Sequence, residues 1–276
     1  MDAKGRTALI TGSTDGVGRR VAFRLGEAGA RVLALGRDSA RGEEVVDEIK
    51  ATGGTACFHA ADLSSLAQVR RLAAAIAGET DRLDLLINNA GLGTGGPHGV
   101  RATSKDGHEL RFAVNYLAHF VLTALLLPLI KASAPARIVN VSSLGQQAID
   151  FDDVMITRNY SGGRAYCQSK LAQVMLTIDL ANWLEGTGVT VNALHPATYM
   201  DTTMVHQAGI NPLNSVDTGA DAILNLALSP ALEGRSGLFF DGLREARANP
   251  QAYDIKARAE LQALSRELTG GVSFPG

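Results

Sequence analysis

Cysteine, aromatic side chains and net charge are all scarce in this chain of 276 residues, and each scarcity excludes something. Only two cysteines are present, Cys57 and Cys167. They form no metal-ligand spacing and no disulfide framework, so free thiols in a reducing compartment and no metal site are expected. Lys and Arg total 26 against 28 Asp and Glu, a formal charge of −2, which gives nucleic acid no electrostatic reason to bind. The longest apolar stretch, residues 120–130, contains Pro128 and falls well short of the roughly 20 residues of a membrane span. The opening MDAKGRTALITG enters a strand pattern almost at once, with no basic and apolar leader before it. A cytoplasmic protein without a membrane anchor is therefore expected. Linkers, repeats and low-complexity segments are lacking too, which favours one domain over residues 1–276.

What is present is an ordinary globular composition, 46% hydrophobic and 20% charged, enough to fill a core. Short apolar runs at 8–11, 31–35, 55–59, 83–87, 137–142, 189–194 and 238–240 alternate with longer helical patterns. Such alternation demands parallel strands joined by right-handed helical crossovers, and near-continuous apolar strands imply helices on both faces. The expectation is an α/β fold, a single doubly wound Rossmann domain with about seven parallel strands. Residues 1–135 would form its cofactor half, and residues 136–276 its catalytic and substrate half.

The first strand runs into Thr11-Gly12-Ser13-Thr14-Asp15-Gly16-Val17-Gly18, and a helical pattern follows. Glycines there let backbone turn sharply and approach a pyrophosphate, whose charge meets the helix N-terminus. The spacing G-x-x-x-G-x-G is one residue longer in its first gap than the usual dinucleotide fingerprint. At the end of the second strand, where NAD sites carry an acid for the ribose hydroxyls, the chain has Leu35-Gly36-Arg37. An arginine there pairs with a 2′-phosphate that an acid would repel, so NADP(H) is expected.

Tyr166 and Lys170 are four residues apart in a helical pattern and share one face. A phenol with a pKa of about 10 needs help to act near neutrality, and a neighbouring ammonium favours its phenolate. Upstream, the strand Arg137-Ile138-Val139-Asn140-Val141 ends in Ser142-Ser143, at the edge where doubly wound sheets bind ligands.

Taken together, TGSTDGVG at 11–18, Asp62-Leu63, Asn88-Asn89-Ala90-Gly91, Asn115, Ser142-Ser143, Tyr166/Lys170 and His195-Pro196 make the chain resemble the short-chain dehydrogenases/reductases over essentially its whole length. That resemblance implies Tyr166 as acid/base, Ser143 polarising the substrate carbonyl (with Ser142 the competing hydroxyl), Lys170 lowering the tyrosine pKa and Asn115 holding a water. It also implies a cofactor bed of Gly12, Ser13, Thr14, Gly16, Val17, Gly18, Arg37, Asp62, Leu63, Asn89, Ala90, Gly91, Tyr166, Lys170, Pro196 and Thr198. The segment from Ser143 to Tyr166 spans 23 positions, about ten more than usual in that family. With Arg37 and the tail, it resembles the retinol-dehydrogenase-like branch, related also to protochlorophyllide reductases.

Phe151-Asp152-Asp153 lies in this insertion, where turn and cap duty is the expected role of both acids; His195 reads as a strand-end core residue. The family's Pro-Gly is Pro196-Ala197 here, and which threonine of 198–203 meets the nicotinamide is open. Residues 91–99 are glycine-rich and expected to anchor little, while residues 199–216, with Met200, Met204, Ile210 and Leu213, read as an apolar lid. The expected substrate is a hydrophobic ketone, aldehyde or alcohol. Relatives often assemble through the helices after Gly107 and Ser161, so the resemblance carries a homodimer or homotetramer as its expectation. The alternatives are a non-catalytic NADP(H)-binding protein, or an epimerase or dehydratase on the same fold.

Overall fold

The chain's computed structural model describes residues 2–95 and 99–274. Each of the seven apolar runs becomes a strand: β1 (Thr7–Thr11), β2 (Arg31–Gly36), β3 (Thr55–Ala60), β4 (Leu85–Asn88), β5 (Ala136–Val141), β6 (Val189–His195) and β7 (Phe239–Asp241). All seven pair in parallel. An eighth strand, β8 (Arg244–Ala246), folds back antiparallel on β7, so the expected count of seven was one short. The sheet order is β3-β2-β1-β4-β5-β6-β7-β8. Strand order reverses between β1 and β4, and there the carboxyl edge opens a crevice for ligands.

Helices cover both faces because alternate strand residues point to opposite sides. Ala8, Ile10, Val32, Ala34, Ile87 and Val139 pack under α1 (Gly16–Glu27), α2 (Ser39–Ala51) and α8 (Val216–Leu228). Leu9, Leu33, Leu86, Ile138 and Val191 pack under α3 (Leu66–Glu79), α5 (Ala118–Ala132) and α6 (Gly162–Trp183). The helices start where side chains satisfy their orphan amides: Asp38, Ser65, Ser161 and Ser215 each accept from an N–H three residues on.

Between β4 and β5, α4 (Leu110–Phe112), a π-helical turn over Ala113–Leu117 and α5 follow without a break. The resulting run, Leu110–Ala132, is long and apolar enough to cross a membrane by length and composition. That revises the expectation drawn from residues 120–130. Its most apolar stretch is 72% buried inside the fold, in contact with α3 and α6, as for a core helix.

The C-terminal helix α9 (Ile255–Leu268) closes this face. Tyr116 and Ser265 share a hydrogen bond of 2.7 Å, Arg258 pairs with Asp179, and Phe274 packs on Phe120 and Trp183.

Candidate active site

The loop after β1 is held by its own hydrogen bonds. Thr11 Oγ1 accepts from the Asn89 and Ala90 amides, both at 2.9 Å. Asn89 Nδ2 returns to Thr11 O and Gly12 O. Gly12 and Gly16 take positive φ, +68° and +53°. A Cβ on Gly18 would run into Gly12 O and Asn89 Nδ2, so only glycine lets α1 start this close to the loop. The N-terminus of α1 is thereby aimed at the crevice, with a residual positive potential.

Ser13 is fully buried and its hydroxyl is spent on β2, with Leu35 N donating to it at 2.8 Å. It braces the loop from inside. Val17 and Leu63 are buried in the core, so only their backbone is free to meet a ligand. Thr14 touches the point where a Cβ on Gly36 would sit, bringing the end of β2 against the loop. Beyond it, Arg37 is exposed and makes no ion pair among the described residues. Arg41, which sequence reasoning did not single out, lies in the same corner between Asp15 and Asp38. Asp62 accepts from Ser64 N at 2.9 Å and pairs with Lys105 at 3.2 Å; those partners hold its carboxyl below the usual range despite an opposing, larger desolvation contribution.

Past β5 the two serines part. Ser142 Oγ donates to Lys170 O at 2.7 Å and ties the strand to α6. Ser143 accepts from Gly145 N at 3.0 Å, and its hydroxyl lies beside Tyr166, where it pulls the phenol pKa down. A Cβ placed on Gly145 would be 3.4 Å from Ser143 Oγ and 3.5 Å from Tyr166 Cε1, so glycine keeps the space between them clear. Lys170 is buried, donating from Nζ to Val141 O at 2.8 Å and Gln173 Oε1 at 2.9 Å. Nζ lies 5.8 Å from the centre of the Tyr166 ring.

Burial governs both titrating groups. It pushes the Tyr166 phenol above its ordinary value, against the pull of the Ser143 hydrogen bond. It pushes the Lys170 ammonium down from 10.5 to about 7. The expected electrostatic pull of Lys170 on the tyrosine is therefore not the dominant influence here: desolvation favours the uncharged form of each.

Asn115 sits in the π-helical turn, a distortion frequent at functional sites. Its side chain is committed: Oδ1 accepts from Leu92 N, and Nδ2 donates to Leu92 O and Ser169 Oγ. Its carbonyl faces His119 Nδ1 at 3.0 Å. A Cβ on Gly91 would lie 3.3 Å from Asn115 Oδ1 and 3.4 Å from Lys170 Nζ, so the loop after β4 runs directly over the lysine.

Two polar residues that the sequence reading passed over complete the network. Gln173, one turn beyond Lys170, supplies one of the two acceptors of its amino group. Buried His119 joins Asn115 O to Thr11 Oγ1, 3.1 Å from its Nε2. Asn115 O can only accept, so the imidazole carries its proton on Nδ1 and leaves Nε2 to accept from Thr11 Oγ1, whose proton has Ile87 O at 3.5 Å as its other acceptor. Burial and the nearby Lys170 depress the His119 pKa to about 3, keeping it neutral. The available signal was a polar residue on an otherwise apolar helix face.

The pocket walls are firmer than expected. Buried Arg111 donates to Gly93 O at 2.7 Å and Thr94 O at 2.9 Å, and to Tyr160 OH, which in turn donates to buried Glu109. The loop after β4 is thus anchored; residues 96–98 of the expected stretch lie outside the described residues. Asp153 in the insertion accepts from Thr157 N, Thr157 Oγ1 and Arg158 N, which hold its carboxyl at about 2 and build a turn. Asp152 is exposed. His195 hydrogen-bonds Thr198 Oγ1 at 3.0 Å beside buried Pro196. Thr202 instead reaches the phosphate loop, its methyl 3.2 Å from a Cβ position on Gly16, and Met204 leans on Gly93.

A family model described as short chain dehydrogenase matches residues 6–212. Retinol dehydrogenase 13 of Homo sapiens is 40% identical over 288 aligned positions, covering 96% of this chain and 85% of the relative. A crystal structure from Mycobacterium paratuberculosis superposes with a TM-score of 0.80 at 30% identity, covering 100% of this chain and 97% of the other. The Pseudomonas aeruginosa RhlG/NADP active-site complex superposes with a TM-score of 0.70 at 30% identity, covering 87% and 95%.

Proposed function

The chain belongs to the short-chain dehydrogenase family, an oxidoreductase of its retinol-dehydrogenase-like branch, and from that premise we propose that it interconverts a hydrophobic ketone or aldehyde and the corresponding alcohol, with Tyr166 as acid/base. The observation that carries this reading is the glycine-cleared space at the end of β5, bounded by Ser143 Oγ and the Tyr166 ring.

The crevice fits NADP(H). Gly12 and Gly18 let the loop, the start of α1 and Ala90 close on one another where a Cβ would collide, and Arg37, at the end of β2, makes no ion pair among the described residues. Structural relatives crystallised with NADP or NADPH support the same cofactor. The diphosphate would rest on the amides of Thr14 and Val17 and, in place of the Asp15 carboxylate that caps it at 2.7 Å, on that of Gly16, with the 2′-phosphate beside Thr14 and Arg37. Asp62 and Leu63 would border the adenine, Asn89, Ala90 and Gly91 the ribose, and Pro196 and Thr198 the nicotinamide. When bound, this cofactor gives or takes the hydride.

The residues of the chain handle the proton. In reduction, the substrate oxygen is held by the Ser143 hydroxyl and takes the proton of Tyr166 Oη. Burial keeps that phenol protonated, so the proton-donating form is the one present before reduction. Lys170, titrating near neutrality against Val141 O and Gln173, is suited to return a proton toward the tyrosine. Exposed Met204 and Leu213 offer the apolar surface expected of a cover for a hydrophobic substrate. Because α9 and Phe274 already occupy part of the face between α5 and α6, assembly through those two helices would have to work around them.

The test is turnover of a panel of apolar ketones, aldehydes and alcohols with NADPH and NADP⁺. Tyr166→Phe should remove turnover by a factor of about 10³ or more, while NADPH binding stays within a few fold. Undiminished turnover would overturn the mechanism.

A further inference from the structure

β3 is the edge strand on the side of the sheet opposite β8. Residues two apart on a strand face the same way, so Cys57 and His59 project together. The crossover through α3 brings its last residue, Glu79, to the same spot. Cys57 Sγ lies 3.8 Å from His59 Nε2 and 3.7 Å from Glu79 Oε1, and His59 Nε2 lies 3.3 Å from Glu79 Oε1. None of the three takes part in the proposed active site.

Hydrogen bonding explains this triangle poorly. The nitrogen–oxygen edge is longer than the usual 2.9–3.0 Å, and a single carboxylate oxygen faces the thiol, the imidazole and Arg31 together. Coordination explains it well. Zinc binds sulfur at about 2.3 Å and nitrogen or oxygen at about 2.0–2.2 Å, and tetrahedral angles then put sulfur about 3.6 Å from each of the others, and nitrogen about 3.4 Å from oxygen. The observed edges of 3.8, 3.7 and 3.3 Å agree within about 0.2 Å.

From this we infer that Cys57, His59 and Glu79 form a three-ligand site for a zinc-type divalent ion, with a fourth position left to water. Sulfur and imidazole donors select a borderline metal of that kind over magnesium or calcium, which prefer oxygen. The side chains of His59 and Glu79 are 14% and 33% exposed, so an ion can enter. Arg31 Nη2, 3.5 Å from Glu79 Oε1, is the competing cation. It is a half-exposed surface partner on a flexible stem, and pairs of that kind are weak. Without metal, burial and Glu79 push the Cys57 thiol up and keep its proton; a bound dication supplies the missing positive charge. The bound ion would fasten the edge strand to the end of α3. The cysteine spacing concealed this, because the third ligand comes from a helix 20 residues beyond His59.

Chelator-stripped, tag-free full-length protein is titrated with Co²⁺, followed by displacement with Zn²⁺. One equivalent should give tetrahedral visible bands and a thiolate-to-cobalt charge-transfer band, and Zn²⁺ should raise the Tm. Cys57→Ala should abolish the charge-transfer band, and His59→Ala or Glu79→Gln should weaken binding at least about tenfold, the scale at which even outer-shell partners act. Arg31→Gln should tighten it. Cys167→Ala, which removes the only other thiol, should change nothing. If Cys57→Ala does not fold, the Cys167→Ala spectrum decides alone. A missing charge-transfer band, an octahedral spectrum or a band that survives Cys57→Ala overturns the site, whatever the dehydrogenase assay shows.

Discussion

Two loops border the same crevice and are built in opposite ways. The one after β1 is locked: Thr11 and Ser13 are fully buried, their hydroxyls are spent on neighbouring strands, and two glycines stand where any side chain would collide. In the one after β6, no residue from Ala197 to Thr218 is buried. It is pinned at its base, where Tyr199 O accepts from Leu213 N and Met200 bridges Asn214, and between those points it carries exposed Met204 and the short α7 (Thr203–Gln207). The contrast matches two tasks. A cofactor of fixed shape rewards a rigid bed, whereas substrate entry needs a segment cheap to move.

The largest effect should come from disturbing the locked loop. Gly18→Ala forces a methyl into Gly12 O and Asn89 Nδ2, both of which are backbone or already bonded. Overpacking of this sort costs about 1–3 kcal/mol, and NADPH affinity should drop by about 100-fold or more as the loop is pushed off its position. Thermal unfolding and cofactor titration check both. If the variant binds NADPH normally, the loop is not the rigid bed described.

The second prediction follows the locked region toward the chemistry, through His119. Its folded pKa of about 3 lies below the ordinary 6.5. Between those values the unfolded chain binds more protons, so stability from this group is complete above pH 6.5 and is lost as pH falls toward 3. Going from pH 6.5 to 5 should cost on the order of 2 kcal/mol through His119 alone. His119→Asn keeps a donor for Asn115 O and removes the titration, so its stability should fall less steeply over that range in denaturant unfolding. Equal slopes would place the histidine outside the buried network.

How far the sequence carries depends on whether a feature is local. β1 to β7 and the phosphate loop were legible because strand, turn and helix cap lie within a few adjacent residues. β8 was not: Arg244, Glu245 and Ala246 are mostly exposed and pair only because the turn at Gly242, φ +59°, returns them to β7. The order Ser143, Tyr166, Lys170 was readable from spacing, but the depression of the lysine to about 7 was not, since desolvation depends on everything packed around it. Gln173, His119 and Arg111 escaped for a related reason, their partners lying 54, 108 and 49 residues away or reached only through the fold.

Arg37→Ala comes next in size. The guanidinium makes no ion pair among the described residues, so stability should hold within about 0.5 kcal/mol, while preference for NADPH over NADH should fall about tenfold, the value of one charge-assisted contact. Arg41 remains in the corner and retains part of the discrimination. Steady-state kinetics with both cofactors measure the ratio, and an unchanged ratio would move the 2′-phosphate site elsewhere.

The smallest effect should come from the loose loop, and its smallness is the point. Met204 is 40% exposed, and its Cγ lies 2.8 Å from where a Cβ on Gly93 would be, so it rests on the glycine loop without entering the core. Met204→Ala removes apolar surface that stays half in water in the free protein, and stability should move by less than about 0.5 kcal/mol. If the segment closes over an apolar substrate, that same surface is buried only in the complex, where about 1 kcal/mol of contact is lost and KM rises about fivefold with kcat nearly constant. A Tm drop approaching that of Gly18→Ala would show the lid to be part of the packed core. An unchanged KM across the whole substrate panel would separate the lid from substrate, and the difference between the two loops would then be one of packing alone.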